Sequence, residues 1–197
     1  VMNGFRAELL DRILGLNGHM GVYNLTNQPL SDFDRIAGEI KKLDGVTRVI
    51  PTVEGQVLVS GNKVAAGAIV RGVRESDIRA REIIADNIRA GTLDNFTGKS
   101  SIIIGTRMAR KFGVGPGDSL RLVSPQSNAT AFGSVPRSKT YRIAALFEVG
   151  MFEYDSGFVF MPLEAAQIYF QSKDAVTNIE VFLDNPDRVN SIRIEIL

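Results

Sequence analysis

Apolar residues recur at steps of three and four through Met2, Phe5, Leu9, Ile13 and Leu16, with Arg6, Glu8, Asp11 and Arg12 between them. That is the spacing of an amphipathic helix. The pattern then switches to a strand over 20–25. Ser31 with Asp34 reads as the cap of a second helix that places Phe33, Ile36, Ile40 and Leu43 on one face, and Asp44-Gly45 ends it. β-branched alternation predicts strands over 46–51, 56–59 and 64–73, with a hairpin turn at Gly61-Asn62. The charged stretch 74–95 reads as helical, with Ile78, Ile83, Ile84 and Ile88 as its apolar side and Ala90-Gly91 marking its end. A short buried strand follows at 101–104, then a helix at 106–112 closed by Gly113, and Gly115-Pro116-Gly117-Asp118 turns the chain into a strand at 119–123. The partner strand is expected at 140–149, and the tail alternates strand 157–161, helix 163–170, strand 178–183 and a helix from Asp187.

The tail thus repeats the strand-helix-strand order of the head, which predicts an α+β fold with one subdomain built from both chain ends, 1–73 and 148–197, and a second inserted at 74–147. A single continuous α+β domain is the alternative. Both ends read as cut from a longer chain, since the first helical pattern has no cap before it and Ile194-Glu195-Ile196-Leu197 stops within a pattern.

Composition narrows the chemistry. The chain balances 23 Lys and Arg against 22 Asp and Glu over 197 residues, so it has no global field for nucleic acid, and recognition by charge must be local. It has no cysteine and one histidine, His19, which removes disulfides, thiolate nucleophiles and the usual multi-His zinc sites. No cofactor or metal is expected. A Ser-His-Asp triad would have to use His19, at the junction of a helix and a strand, and a soluble hydrolase built on it is the remotest reading. No run approaches the ~18 apolar residues of a membrane span.

Two glycine-rich segments invite a phosphate-binding reading and fail it. Gly98-Lys99-Ser100 lacks the glycine five residues upstream and the preceding strand that such a loop needs. In the 113–118 segment Pro116 removes a backbone donor, and a strand follows it rather than a helix. Glu75, Asp77, Glu82 and Asp86 with their arginine neighbours read as a solvated face. No catalytic residue is assigned.

The insertion 124–139 is the most informative stretch, because it is too long for an ordinary hairpin loop. Pro125 and Pro136 stiffen its sides, Phe132 and Val135 place apolar groups near its tip, and Arg121, Arg137 and Lys139 put positive charge at its base. A stiff arm with a greasy tip and cationic flanks suits protein recognition, since less freedom is lost on docking. The same residues also fit an unstructured surface loop.

Several motifs together resemble one family. Val1-Met2-Asn3-Gly4-Phe5-Arg6 with Ile13-Leu14-Gly15-Leu16, the run from Leu43 to Pro51, Ile102-Ile103-Ile104-Gly105 with Gly113-Val114 and Gly117-Asp118, and the proline-bounded arm ending Gly133-Ser134-Val135-Pro136 look like the periplasmic part of lipoprotein-releasing ABC permeases of the LolC/LolE type. These are relatives of the macrolide-efflux (MacB-like) permeases, and the resemblance covers essentially the whole chain. It implies a MacB-like periplasmic core between two membrane helices of an inner-membrane protein, with a membrane-proximal (Porter-like) and an inserted (Sabre-like) subdomain. It also implies that the arm is the LolC-type hook that recruits the soluble carrier LolA. Arg121, Pro125, Phe132, Gly133, Val135, Pro136, Arg137, Ser138 and Lys139 are the expected carrier-binding residues, although the order Arg137-Ser138-Lys139 departs from the commoner one. Met2, Phe5 and Leu9 would line a lipoprotein path or simply pack. The implied partners are LolA, a second permease subunit (LolE-like or an identical copy), a LolD-like cytoplasmic ATPase and lipoprotein clients. A domain that relays motion in an efflux permease without a carrier is the nearest rival.

Overall fold

The computed structural model describes the backbone of residues 13, 15–24, 26, 28–130 and 133–196, and the side chains of these outside 126–135. Met2, Phe5, Leu9 and Phe132 lie outside the described residues. In chain order the elements are β1 (Met20–Val22), β2 (Leu30–Ser31), α1 (Phe33–Ile40), β3 (Val46–Gly61), β4 (Val64–Val73), α2 (Glu75–Arg79), α3 (Glu82–Ala85) and β5 (Ile88–Gly91). After a turn of 3-10 helix at Leu93–Asn95 come β6 (Ser101–Gly105), α4 (Thr106–Phe112), β7 (Ser119–Thr130), β8 (Gly133–Phe147) and α5 (Phe152–Gly157). The chain ends with β9 (Phe158–Pro162), α6 (Leu163–Phe170), β10 (Ala175–Val176), β11 (Asn178–Leu183) and α7 (Val189–Ile196).

The chain divides into two compact units, residues 1–53 with 172–197, and residues 54–171. In the first unit β11 is flanked by antiparallel β1 and by the first half of β3, with Val181 opposite both Met20 and Val49. Helices α1 and α7 bring Ile40 and Ile192 onto this sheet, where they cluster with Val181 and Leu183. The spacing of Ile36, Ile40 and Leu43 predicted that face. The cap differs from expectation: Ser31 pairs with Ala175 in the small β2–β10 sheet, and Asp32, at φ 59, precedes the helix and binds Arg35 instead.

The second unit is organised by strand closure. β3, β4, β9, β6, β8 and β7 are neighbours in succession, and β7 returns to β3 with Leu58 opposite Val123 and Ser60 opposite Arg121. The six strands therefore form a closed barrel, which leaves no open edges among them. Alternation sorts their side chains. Val57 and Val59 on β3, Val70 on β4 and Leu120 and Leu122 on β7 are fully buried, whereas Leu58 and Arg121 are exposed.

The compact units divide at 53/54 and 171/172, where the sequence pattern led to an expectation of 73/74 and 147/148. β4 pairs in parallel with β9, and the end of β3 pairs with β7, so β4 and the second half of β3 belong to the inserted unit. The stretch 74–95 is not one helix. Two short helices give way to β5, which pairs with β8, and Gly91 adopts φ +76 with its Cα against the Ala144 carbonyl, where a Cβ would stand 2.2 Å from that oxygen. The pattern of isoleucines was helical, but sheet pairing overrode it.

Candidate functional site

The long insertion is a continuation of β7 and β8 as a two-stranded ribbon. Pairing runs from Ser119–Arg142 through Val123–Ser138, then resumes at Ser127–Pro136 and continues to Thr130–Gly133. Among the described residues, β7 pairs with β3 as far as Val123, and the strand pairs beyond it, Ser127–Pro136 to Thr130–Gly133, lie within the ribbon. It leaves a closed barrel, which gives it a rigid root. Pro125 and Pro136 are exposed on its two strands, and as residues without an N–H they also blunt its outer edges against further strand pairing.

Register decides where the cations point. Because side chains alternate, Arg121, Thr140 and Ser138 share the outward face, all exposed, while Arg137 and Lys139 lie on the opposite face with buried Tyr141. The sequence reading put Arg121, Arg137 and Lys139 together as positive charge at the arm's base; in the structure Arg121 lies on one face of the ribbon and Arg137 and Lys139 on the other. Arg137 donates through Nη1 to the carbonyl of Tyr169 in the last turn of α6. Lys139 donates to the carbonyl of Lys99 at 2.6 Å and sits 5.0 Å from the centre of the Tyr141 ring, a cation-π arrangement. Lys99 in turn pairs with Glu164 in the first turn of α6, at 2.6 Å. The Gly98-Lys99-Ser100 segment is thus a brace under the ribbon.

Tyr141 and Tyr169 meet edge to face beneath these contacts, 6.0 Å between ring centres. Burial raises the Tyr141 phenol far above its ordinary value, with a smaller contribution from Tyr169, and pushes Tyr169 up to about 12. Both remain neutral hydrophobes with a polar end at any physiological pH. Nothing in the sequence signalled their role, since isolated tyrosines near strands are ordinary core residues.

His19 accepts the Leu183 N–H through Nδ1 at 2.8 Å, where β11 slips register against β3 between Phe182 and Leu183. The imidazole replaces a lost ladder bond, and burial lowers its pKa below the ordinary 6.5. A His19→Ala change leaves a buried N–H unpaired and is expected to cost about 1–2 kcal/mol. Because the folded protein holds the neutral ring, the wild-type contribution is present above pH 6.5, the unfolded value, and is lost as pH falls toward the lower folded pKa. Urea titrations at pH 8 and pH 5 should show the stability difference between wild type and variant shrinking at the lower pH.

Glu75 pairs with Arg79 at 2.9 Å, and Arg79 with Asp94 at 2.8 Å, on an exposed surface. Of two open clefts in the second unit, the one of about 510 Å³ is lined by Arg142 as its one titratable group, and the one of about 370 Å³ by Glu153 as its one. Neither provides the pair of groups that acid-base catalysis uses. Among the described residues no cluster of three or more His, Cys, Asp or Glu could hold a metal ion, and no helix is long and apolar enough to cross a membrane.

Comparison with known proteins places this architecture. The chain is 28% identical over 188 residues to the lipoprotein-releasing system transmembrane protein LolC of Xylella fastidiosa, covering 95% of this chain and 45% of that protein. It is 21% identical over 201 alignment positions to LolE of Haemophilus influenzae, covering 100% of this chain and 48% of that protein. The chain therefore spans about half the length of these relatives. Among solved structures it is similar to the extracellular domain of the noncanonic ABC-type transporter YknZ from Gram-positive bacteria, with a TM-score of 0.58 at 16% identity, covering 87% of this chain and 86% of that one. At that identity the likeness establishes the fold. The MacB-like periplasmic core domain matches residues 1–197, and the chain belongs to that family.

Proposed function

We propose that the chain is the periplasmic portion of an inner-membrane ABC permease of the LolC type, in which the β7–β8 ribbon holds the soluble carrier LolA while lipoproteins pass to it. The observation that carries this reading is the ribbon itself: β7 and β8 run on past the last β3 pair at Val123 and pair with each other from Ser127–Pro136 to Thr130–Gly133, rooted in a closed barrel. A structure so presented can be engaged by a partner without disturbing the core. The relatives named LolC support the lipoprotein assignment, and the family accounts for a non-catalytic role. Energy would come from ATP hydrolysed on a LolD-like cytoplasmic subunit, with a LolE-like or identical second permease completing the complex. Met2, Phe5 and Leu9 remain the residues proposed to line a lipoprotein path.

Within the ribbon, Arg121 and Ser138 take the part of outward carrier contacts, together with Pro125, Pro136 and the tip residues Phe132, Gly133 and Val135. Arg137 and Lys139, with their charges engaged on backbone carbonyls, serve the ribbon's root. Electrostatic contacts at such a rim act chiefly on association. Arg121→Glu is therefore expected to weaken LolA binding about tenfold, roughly 1.4 kcal/mol, mainly through a slower on-rate. Surface plasmon resonance with immobilised LolA at two salt concentrations tests this. An unchanged on-rate at low salt would remove Arg121 from the contact, and the absence of wild-type binding would remove LolA.

The rival reading, a motion-relaying domain of an efflux permease with no carrier, draws on the likeness to YknZ. It shares every structural feature except a use for the ribbon, so carrier binding discriminates between the two.

A further inference from the structure

The ribbon changes register at one place. Between the Val123–Ser138 and Ser127–Pro136 pairs, three residues of β7, Ser124 to Gln126, stand opposite Arg137 alone. Extra residues on one strand bend a ribbon and increase its twist, so this irregularity sets the direction in which the arm leaves the barrel. An irregularity of this kind is also a place where a ribbon can flex.

Arg137 is the residue opposite the irregularity, and its side chain is partly buried. Its guanidinium donates to the Tyr169 carbonyl. That carbonyl belongs to the last turn of α6, whose C=O groups have no intrahelical donor, and a cation there is favoured by the helix dipole. The helix closes on Gln171 at φ 57, whose N–H is directed to Gln167 and Ile168 and not to Tyr169, so Arg137 supplies a partner that the helix itself does not. The other end of α6 is tied to the same strand through Glu164, Lys99 and Lys139, with both links at 2.6 Å. Phe170 at the end of α6 lies over Gly55 of β3, where a Cβ would come within 2.3 Å of its ring. Between these ties, the Tyr141 and Tyr169 hydroxyls are buried with no hydrogen-bond partner among the described residues.

We propose that Arg137 is a positioning residue: it pins the bulged root of the arm to the C-terminal end of α6, so that the arm and α6 turn as one body. The chain leaves this unit after Gln171, one residue beyond α6. A displacement of the chain at that point is therefore passed through α6 and Arg137 to the arm's direction, rather than being absorbed at the irregularity. The use of that direction, presenting the arm to a carrier, rests on the function proposed above. The pin itself does not.

Because the chain has no cysteine, spin labels can be placed at Asn128→Cys on the arm and Ile168→Cys on α6 and their separation read by double electron-electron resonance. The wild-type arm is expected to give one narrow distance distribution. Arg137→Gln and Arg137→Met, the latter keeping the apolar stem, should broaden it at least about twofold, and Arg137→Lys should restore part of the sharpness. Thermal denaturation of each variant checks that the barrel is retained, and the Met variant carries the test if the Gln variant fails to fold. A distribution equally narrow without the guanidinium, or equally broad with it, overturns the pin. In a parallel titration with LolA, Arg137→Gln should weaken binding about tenfold. Loss of binding by the wild-type chain as well would count against the functional reading, while the distance widths would still decide the pin.

Discussion

Replacing residues 126–135 by a short Gly-Ser linker is expected to abolish carrier binding, by a factor of 100 or more, while the melting temperature of the domain stays within a few degrees of wild type. Topology separates the two effects. Every described strand pair in that segment lies within the ribbon, and the closed barrel uses β7 only over residues that pair with β3 and the root of β8. Removing the ribbon's outer part deletes local pairs and leaves the barrel's inward rows of Val57, Val59, Leu120 and Leu122 in place. On the binding side, the segment holds the tip residues Phe132 and Val135, and interface energy is concentrated in a few central groups. Calorimetry with LolA and differential scanning calorimetry together check both halves of this prediction. A large loss of stability would show that the ribbon is part of the core.

The largest effect on stability is expected at Gly105. This residue ends β6 and stands at the N-cap of α4, in extended backbone that any residue can adopt. Its constraint is space. A Cβ there would lie 2.2 Å from the Asp155 carbonyl oxygen and 2.5 Å from its carbonyl carbon and Cα. These are backbone atoms of α5, and they cannot rotate away. Asp155 is itself fixed, since its buried carboxylate accepts the N–H groups of Val149 at 2.8 Å and Gly150 at 3.1 Å. Even Gly105→Ala must displace α5 against that anchor, and a loss of about 2–4 kcal/mol is expected, more for Gly105→Val. Guanidinium denaturation measures it. A loss below about 0.5 kcal/mol would show that α5 moves readily.

The glycine at the end of Ile102-Ile103-Ile104-Gly105 was visible in the sequence as part of a motif, but its reason was not, because the atoms that need the space are fifty residues away. The same distinction holds elsewhere. Helix α1 could be read from Ile36, Ile40 and Leu43, and β4, α4 and α6 fell where the pattern placed them, since each has a local period and a local end signal. The barrel could not be read, because its closing pair, Leu58 with Val123, joins residues far apart in the chain. β5 was hidden at the end of an apparent helix, where its one isoleucine, Ile88, continued the helical spacing of Ile78, Ile83 and Ile84.

The candidate site was legible to the same degree. Two prolines bounding a polar insertion announced an arm, and the charges at its base were in plain view. Which way those charges point depends on register through an irregular stretch, and a shift in pairing is a non-local fact. Arg121 and Lys139 therefore seemed equivalent in the sequence, whereas in the fold one faces outward and the other reaches the Lys99 carbonyl. This difference has consequences for mutagenesis. Reversing Lys139 would disturb the ribbon's root as well as its charge, and only Arg121 reports cleanly on docking.

The most direct measurement is in the cell envelope. A photo-crosslinking amino acid introduced in place of Asn128 in the full-length permease places a reactive group on the outer part of the ribbon. On irradiation, the account predicts one dominant adduct that carries LolA, identified by antibody and by peptide mass, and that disappears when residues 126–135 are replaced. Adducts confined to membrane subunits, with none to LolA at native expression, would contradict it.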